Sequence, residues 1–278
     1  LIEWRFLLFG LLMAFWSSLG QTFFISLFST QIRTTLNLSH GDFGTYYALA
    51  TTASAISLIW LGKLADTMRL EKLALFILIS LCFAAILFSQ ISSLWMLVGG
   101  IYLLRMFGQG MMTHVYTTAM ARRYVSARGR AISIAQLGQT LAESIGPASI
   151  IALQTLFDWR TLWIGLPIVA FFTVAPFLRH LTQRTRLQDG EGLSGLAEKQ
   201  LQLRRKFDTQ KQWRRSEVLR DPAFWLAFIW LAAVPSFVLT GLLFHQIYLA
   251  EAKGVELSTW TASYVLYAIF AVVGSLTV

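Results

Sequence analysis

Charge is what this chain has least of. Only 13% of its 278 residues are Asp, Glu, Lys or Arg, about half the share of an ordinary soluble domain. A water-soluble sphere of this length needs a charged surface, so that class is excluded. Cysteine is almost absent. The single Cys82 lies in an apolar run, which rules out a disulfide framework and a cysteine metal cluster. The four histidines are scattered and form no metal pair. No His-Glu-x-x-His, Gly-x-Ser-x-Gly or Walker loop occurs. No metal, no cofactor and no nucleotide-driven machinery is therefore expected. A cleavable signal pattern is also lacking, because the first apolar run is too long for a signal-peptide core and reads as an anchor.

What the chain has in excess is apolar surface, at 56% hydrophobic residues. It falls into eight runs, 6–28, 43–61, 73–91, 94–120, 131–153, 162–178, 223–250 and 259–278. A helix needs about 20 apolar residues to cross a bilayer core of roughly 30 Å. The runs are continuous and do not alternate, which favours helices over barrel strands. Ser39 with Asp42 makes a capping-box pattern before the second run, and Asp221-Pro222 opens the seventh. Trp4, Trp60, Trp95, Trp159, Trp163, Trp225 and Trp260 fall near run ends, where an interfacial aromatic belt places them.

Basic residues orient the chain. With the amino end inside, the inner segments hold 19 of the 23 Lys and Arg, and only Arg33, Arg160 and Lys253 fall outside. This asymmetry also accounts for the net charge of +9 without nucleic acid: the basic surface faces the headgroups of the lipid bilayer. The sequence divides into a six-helix bundle at 1–180, a basic inner linker at 181–221 and two further helices at 222–278. Two readings of the linker stay open, a surface helix on anionic headgroups and a tether. The first residue is Leu1 and the eighth run stops at Val278 without a polar flank, which reads as a piece of a longer chain.

Between the second and third runs lies "GKLADTMRLEK", with five charged side chains in eleven residues. Gly62-x-Leu64-Ala65-Asp66 followed by basic residues resembles the signature loop of the major facilitator superfamily. Thr67 and Arg69 depart from the arginine and glycine that follow the aspartate in that pattern. The fourth run holds "LLRMFGQG", similar to an Arg-x-x-x-Gly element of proton-coupled members, and the fifth holds "GQTLAESIGP", similar to a glycine series ending in Gly-Pro. The resemblance implies an all-α integral membrane protein. Its fold would be six helices as 3+3 inverted repeats, then the first two helices of a second bundle. It also implies that Gly62, Asp66 and Arg69 form a conformational gate, with Arg130 a partner for Asp66 from the equivalent loop. Independently of family, Gly138, Ala142 and Gly146 recur every four residues, with Pro147 next, as a small-residue stripe for helix packing.

Arg105 and Glu143 are the only charges well inside a run. Arg105 lies eleven residues from the outer end of its run and Glu143 twelve from the inner end of its own. At 1.5 Å per residue this puts their depths within about 4 Å of each other. Arg105 shares its helix face with Gln109 and Tyr116, and Glu143 with Gln136 and Gln139. Such stripes mean either a water-lined cavity or a polar seam holding a static ion pair. In the cavity reading Glu143 carries the coupling proton. Gln21 and His245 are further candidates for the pathway, whereas His114 lies on the opposite side of its helix from Arg105.

The sequence reading is a secondary transporter: monomeric, in the cell membrane, moving a small-molecule substrate by alternating access with protons as the coupling ion. The rivals are an integral-membrane enzyme built on Glu143 with His114, and a membrane receptor, which eight runs and an inside amino terminus do not fit.

Overall fold

The computed structural model describes residues 4–124, 127–182 and 215–276. Most of the 181–221 linker, including both open readings of it, therefore lies outside the described residues. Every described element is helical.

The first run gives α1 (Trp4–Trp16), a 3-10 turn (Ser17–Gly20) and α2 (Thr22–Ser26). It is broken where Gln21 takes an extended backbone, φ −83° and ψ 153°. α3 (Ser29–Leu36) stops at Asn37, whose left-handed φ of 51° lets the Leu38 N–H reach back to the Arg33 carbonyl at 2.9 Å. α4 (His40–Leu61) opens with the capping box foreseen from sequence. The Asp42 N–H donates to Ser39 Oγ, and the Ser39 N–H to Asp42 Oδ2, each at 3.1 Å. After Gly62 come the single turn α5 (Leu64–Thr67) and then α6 (Leu70–Ser89).

The fourth run is α7 (Leu94–Leu104), a π-helical stretch (Arg105–Met112) and α8 (Thr113–Arg123). α9 (Arg128–Gln154), α10 (Trp159–Val174) and α11 (Leu178–Thr182) follow. Beyond the undescribed segment lie α12 (Arg215–Arg220), α13 (Pro222–Phe228), a second π-helical stretch (Ile229–Ala233) and α14 (Val234–Phe244). The last three helices are α15 (Gln246–Ala252), α16 (Leu257–Ala262) and α17 (Tyr264–Leu276).

Among the described residues six stretches are long and apolar enough to cross a membrane: Trp4–Ser26, His40–Thr67, Leu70–Ser89, Trp159–Thr182, Pro222–Phe244 and Leu257–Gly274. The expected runs 94–120 and 131–153 are helical too but are not among the six. Arg105 and Gln109 dilute the first, and Gln136, Gln139 and Glu143 the second. The two least apolar helices are thus the ones that carry the intramembrane polar groups.

The described residues form two compact units, one within Leu1–Gln183 together with Gln246–Val278, the other within Arg184–His245. In the first unit α1 and α17 both pack along α9, α10 packs on α6, and α4 and α6 each pack on α7. Missing side chains set the closest crossings. A Cβ on Gly20 would sit 2.1 Å from the Leu104 carbonyl oxygen and 2.7 Å from the Gly108 Cα. One on Gly138 would sit 2.0 Å from the Leu11 carbonyl oxygen. The first run therefore meets the fourth and fifth backbone to backbone, as small residues allow in a membrane. Gly146 is under no such constraint, since its Cβ would meet the Phe23 ring at an ordinary 3.6 Å. Of the two glycines in the stripe, Gly138 sits at a tight crossing and Gly146 does not, while Ala142 between them is buried. Pro147 lies buried within α9, which continues through it.

The outer faces are apolar, with Trp95 86% and Phe270 76% exposed, as lipid contact requires. Trp163 departs from the interfacial belt. It is fully buried in a cluster with Phe24, Phe28 and Phe88, where ring packing outweighs the pull of the interface. In the second unit Asp221 accepts from the Ala223 N–H at 2.9 Å and Pro222 takes the first turn, so the start of α13 follows the sequence pattern.

Candidate functional site

Two polar clusters occupy the interior of the first unit. The break at Gln21 places Gly20 and Thr22 beside the π-helical stretch that carries Arg105. Arg105 Nη1 donates to Thr22 Oγ1 at 2.9 Å and toward the Gly20 carbonyl at 3.4 Å. Its guanidinium carbon lies 5.6 Å from the centre of the Tyr47 ring, and the Tyr47 hydroxyl also donates to Thr22 Oγ1, at 2.9 Å. Arg105 is 8% exposed, and its Nε is buried with no partner. The Oε1 atom of Gln109 is likewise buried without a partner. π-helical segments widen a helix by one residue per turn and concentrate at functional sites. Here the segment presents Arg105 and Gln109 to the broken first run.

The second cluster runs along α9 toward Glu143. The Tyr116 hydroxyl donates to Gln136 Oε1. Gln136 Nε2 donates to Gln139 Oε1 at 2.8 Å, and Gln139 Nε2 to Glu143 Oε1 at 2.8 Å. From α17, the Tyr267 hydroxyl donates to Glu143 Oε2 at 3.2 Å. Every bond in the chain points its hydrogen toward the carboxylate, which suits an ionised acceptor at the end. A separate set of bonds ties the last helices to the first run. Gln246 Nε2 donates to the Phe23 carbonyl at 2.8 Å and to Ser26 Oγ at 2.6 Å, and Gln246 Oε1 accepts from Tyr264 at 3.0 Å.

Equal depth did not make Arg105 and Glu143 an ion pair. The described residues hold two ion pairs, Arg122–Asp66 and Arg69–Glu71, and neither intramembrane charge is in them. Depth along a helix fixes height and leaves the direction around the axis free. Arg105 turns to the first run, and Glu143 lies against α17. Gln139 and Tyr116 do join Glu143 in one network, while Gln21, though buried, contributes a backbone break. His245 is exposed, its ring edge-on to Phe244 at 5.0 Å, and it belongs to the second unit.

At the loop after α4, Asp66 is held by Arg122, which also donates to the Ala65 carbonyl at 2.8 Å. The aspartate's partner is therefore Arg122 at the end of α8, and not Arg130 in the first turn of α9. Both follow the fourth run on the same basic segment, and spacing alone did not separate them. Arg69 lies 3.8 Å from Glu71 instead of joining the aspartate. His114 Nε2 lies 3.1 Å from the Gly62 carbonyl oxygen, and a Cβ on Gly62 would approach that ring to 3.4 Å. At that distance a Cβ makes ordinary van der Waals contact, so the ring's approach does not itself require a glycine at 62.

Sequence reasoning missed Thr22, Tyr47, Gln246, Tyr267 and Arg122. Signals existed for two of them. Gln246 is the one side-chain amide in the run 223–250, and Tyr267 shares a face with Tyr264 three residues earlier.

The family model described as Major Facilitator Superfamily matches residues 10–278. No curated protein matches the chain.

Proposed function

This chain belongs to the major facilitator superfamily, and we propose that it is a secondary transporter coupling the movement of its substrate to protons by alternating access. The coarser part stands on the family and the helices: a multi-pass integral membrane protein that transports a small molecule. Proton coupling rests on one observation, the buried Glu143 at the end of a chain of donors and in contact with Tyr267. Protonation turns one carboxylate oxygen from acceptor to donor. The bond on that oxygen, from Gln139 or from Tyr267, then weakens or, for the Tyr267 hydroxyl, reverses. In this reading the proton changes how α9 meets α17, and that change is what the substrate exploits.

Asp66 with Arg122 serves as the inner gate in the same reading, closed in one state and parted in the other. The protein works as a monomer in the cell membrane with its amino end and the 181–221 linker inside, and 222–278 begins the second bundle. The distribution of basic residues supports that orientation. Cysteine placed at Ser92 is then labelled from outside and cysteine at Ser194 only from inside; the reverse pattern ends the topology. An enzyme built on Glu143 and His114 has no support in the contacts, because His114 lies on the Gly62 carbonyl.

Vesicles carrying the full-length protein test the coupling. A panel of labelled small molecules is offered with and without an imposed pH gradient. The expected result is accumulation of one of them above its external concentration only when the gradient is present. Uptake that stops at equilibrium whatever the gradient would contradict proton coupling.

A further inference from the structure

We infer that Arg105 receives the negatively charged group of the transported molecule, and that this group is a carboxylate. The inference rests on the transporter reading above and names the substrate class of that same site.

Four observations converge on it. Arg105 is 8% exposed within a membrane-spanning run. Each of its contacts is neutral: the Thr22 hydroxyl, the Gly20 carbonyl and the face of the Tyr47 ring. The other deep charge, Glu143, is engaged by Gln139 and Tyr267, and no described ion pair includes Arg105. Its Nε is buried without a partner, and so is Oε1 of Gln109, four residues along the same π-helical stretch.

A cation held at depth by neutral dipoles is only partly compensated, and an uncompensated intramembrane charge is costly. A neutral substrate would leave that cost in place, and a cationic one would add to it. An anion removes it. The unsatisfied atom also narrows the kind of anion. Nη1 is already committed to the first run, which leaves the guanidinium edge that includes Nε. That edge matches a carboxylate through two parallel hydrogen bonds. None of the groups that touch Arg105 brings a second cation, as a dianionic phosphate would call for. Gln109, on the same π-helical stretch, offers a second buried polar group for a hydroxyl or similar substituent. The assigned substrate is therefore a small organic monocarboxylate.

The test uses purified full-length protein and vesicles carrying it. The probes are lactate, pyruvate and butanoate, the neutral amides of the same acids, succinate, inorganic phosphate and chloride. Binding is read as thermal stabilisation, and transport as exchange of labelled substrate. At least one monocarboxylate is expected to bind and exchange, with its amide weaker by about tenfold or more, the order of one lost charge-assisted contact. Arg105→Gln is expected to erase the preference for acid over amide, and Arg105→Lys to restore part of it. Should Arg105→Gln fail to fold, the acid and amide comparison on the unaltered protein decides alone. Equal binding of acids and amides, preference for phosphate or succinate, or no response to any monocarboxylate each overturn the assignment. Carboxylate uptake that stops at equilibrium whatever the pH gradient would end the proton-coupling reading and leave this inference standing. A gradient-driven neutral or cationic substrate would do the reverse.

Discussion

The Tyr267 hydroxyl donates to the Glu143 carboxylate at 3.2 Å, joining two helices whose contacting residues are 124 apart in sequence. It is the one link in the Glu143 network that comes from outside α9 and the fourth run. Tyr267→Phe removes that single donor and little else. A neutral hydrogen bond contributes about 1 kcal/mol, so the folded protein should persist. The pH profile of uptake should change, while Tyr264→Phe, which loses its contacts to Gln246 and Trp260 and none to Glu143, should leave that profile as it is. Uptake measured across a pH series for both variants checks this. Matching profiles for Tyr267→Phe and the parent would remove the link from the mechanism.

The Asp66–Arg122 pair is more than half exposed on each side chain, 63% and 55%. Such a pair adds only about 0–1 kcal/mol to stability. Melting temperatures of Asp66→Asn and Arg122→Gln should therefore stay close to the parent. Transport should nevertheless fall in both, by up to about fivefold for 1 kcal/mol, because the proposed gate must hold in one state and open in another. Arg130→Gln should transport normally. Equal damage from Arg130→Gln and Arg122→Gln would show that the loop responds to charge in general.

The crossings of the first run depend on absent side chains. Gly20→Ala and Gly138→Ala drive a methyl into the Leu104 and Leu11 carbonyl oxygens, and backbone cannot step aside as a side chain can. Overpacking of this kind costs about 1–3 kcal/mol, occasionally more. Gly99→Ala and Gly165→Ala meet nothing within 4 Å and serve as controls. Thermal unfolding in detergent should separate the two pairs, and an unchanged melting temperature in Gly138→Ala would contradict the crossing.

Arg160 is one of the few basic residues that the proposed topology puts outside, and the structure gives it a local task. Its guanidinium donates to the Ser89 carbonyl and, at 3.1 Å, to the Ile91 carbonyl, while stacking 4.6 Å from the Trp159 ring centre. Those carbonyls close the carboxyl end of α6, where a cation is favoured. Arg160→Gln should lower stability by about 1–3 kcal/mol, and Arg160→Lys should recover only part of it, since a point charge cannot span two carbonyls. Denaturation of the three proteins side by side gives the ordering.

What was legible in the sequence follows from local physics. The Ser39–Asp42 box and the Asp221 cap lie within three residues of their partners, and helix starts formed where those residues stand. Apolar runs located the spans for the same reason. The site was legible in its residue types but not in its contacts. Arg105 and Glu143 stood out because an apolar run advertises a charge. Their real partners, Thr22 and Tyr267, lie 83 and 124 residues away and carry ordinary hydroxyls. Gly20 and Gly108 meet backbone to backbone without any small-residue repeat to mark them. Choosing His245 over Gln246 was a one-residue error with a physical cause. The titratable ring drew attention, while the amide beside it, fully buried, holds the Phe23 carbonyl and Ser26.

The central claim is that Glu143 is the coupling group, and Glu143→Gln tests it most directly. The substitution keeps the shape and most hydrogen bonds of the side chain but fixes its charge at zero. Accumulation of substrate against its gradient and exchange of labelled for unlabelled substrate are measured in the same vesicles. The account predicts that accumulation is lost while exchange continues, because exchange moves no net proton. Accumulation driven by a pH gradient at the parental level in Glu143→Gln would contradict it.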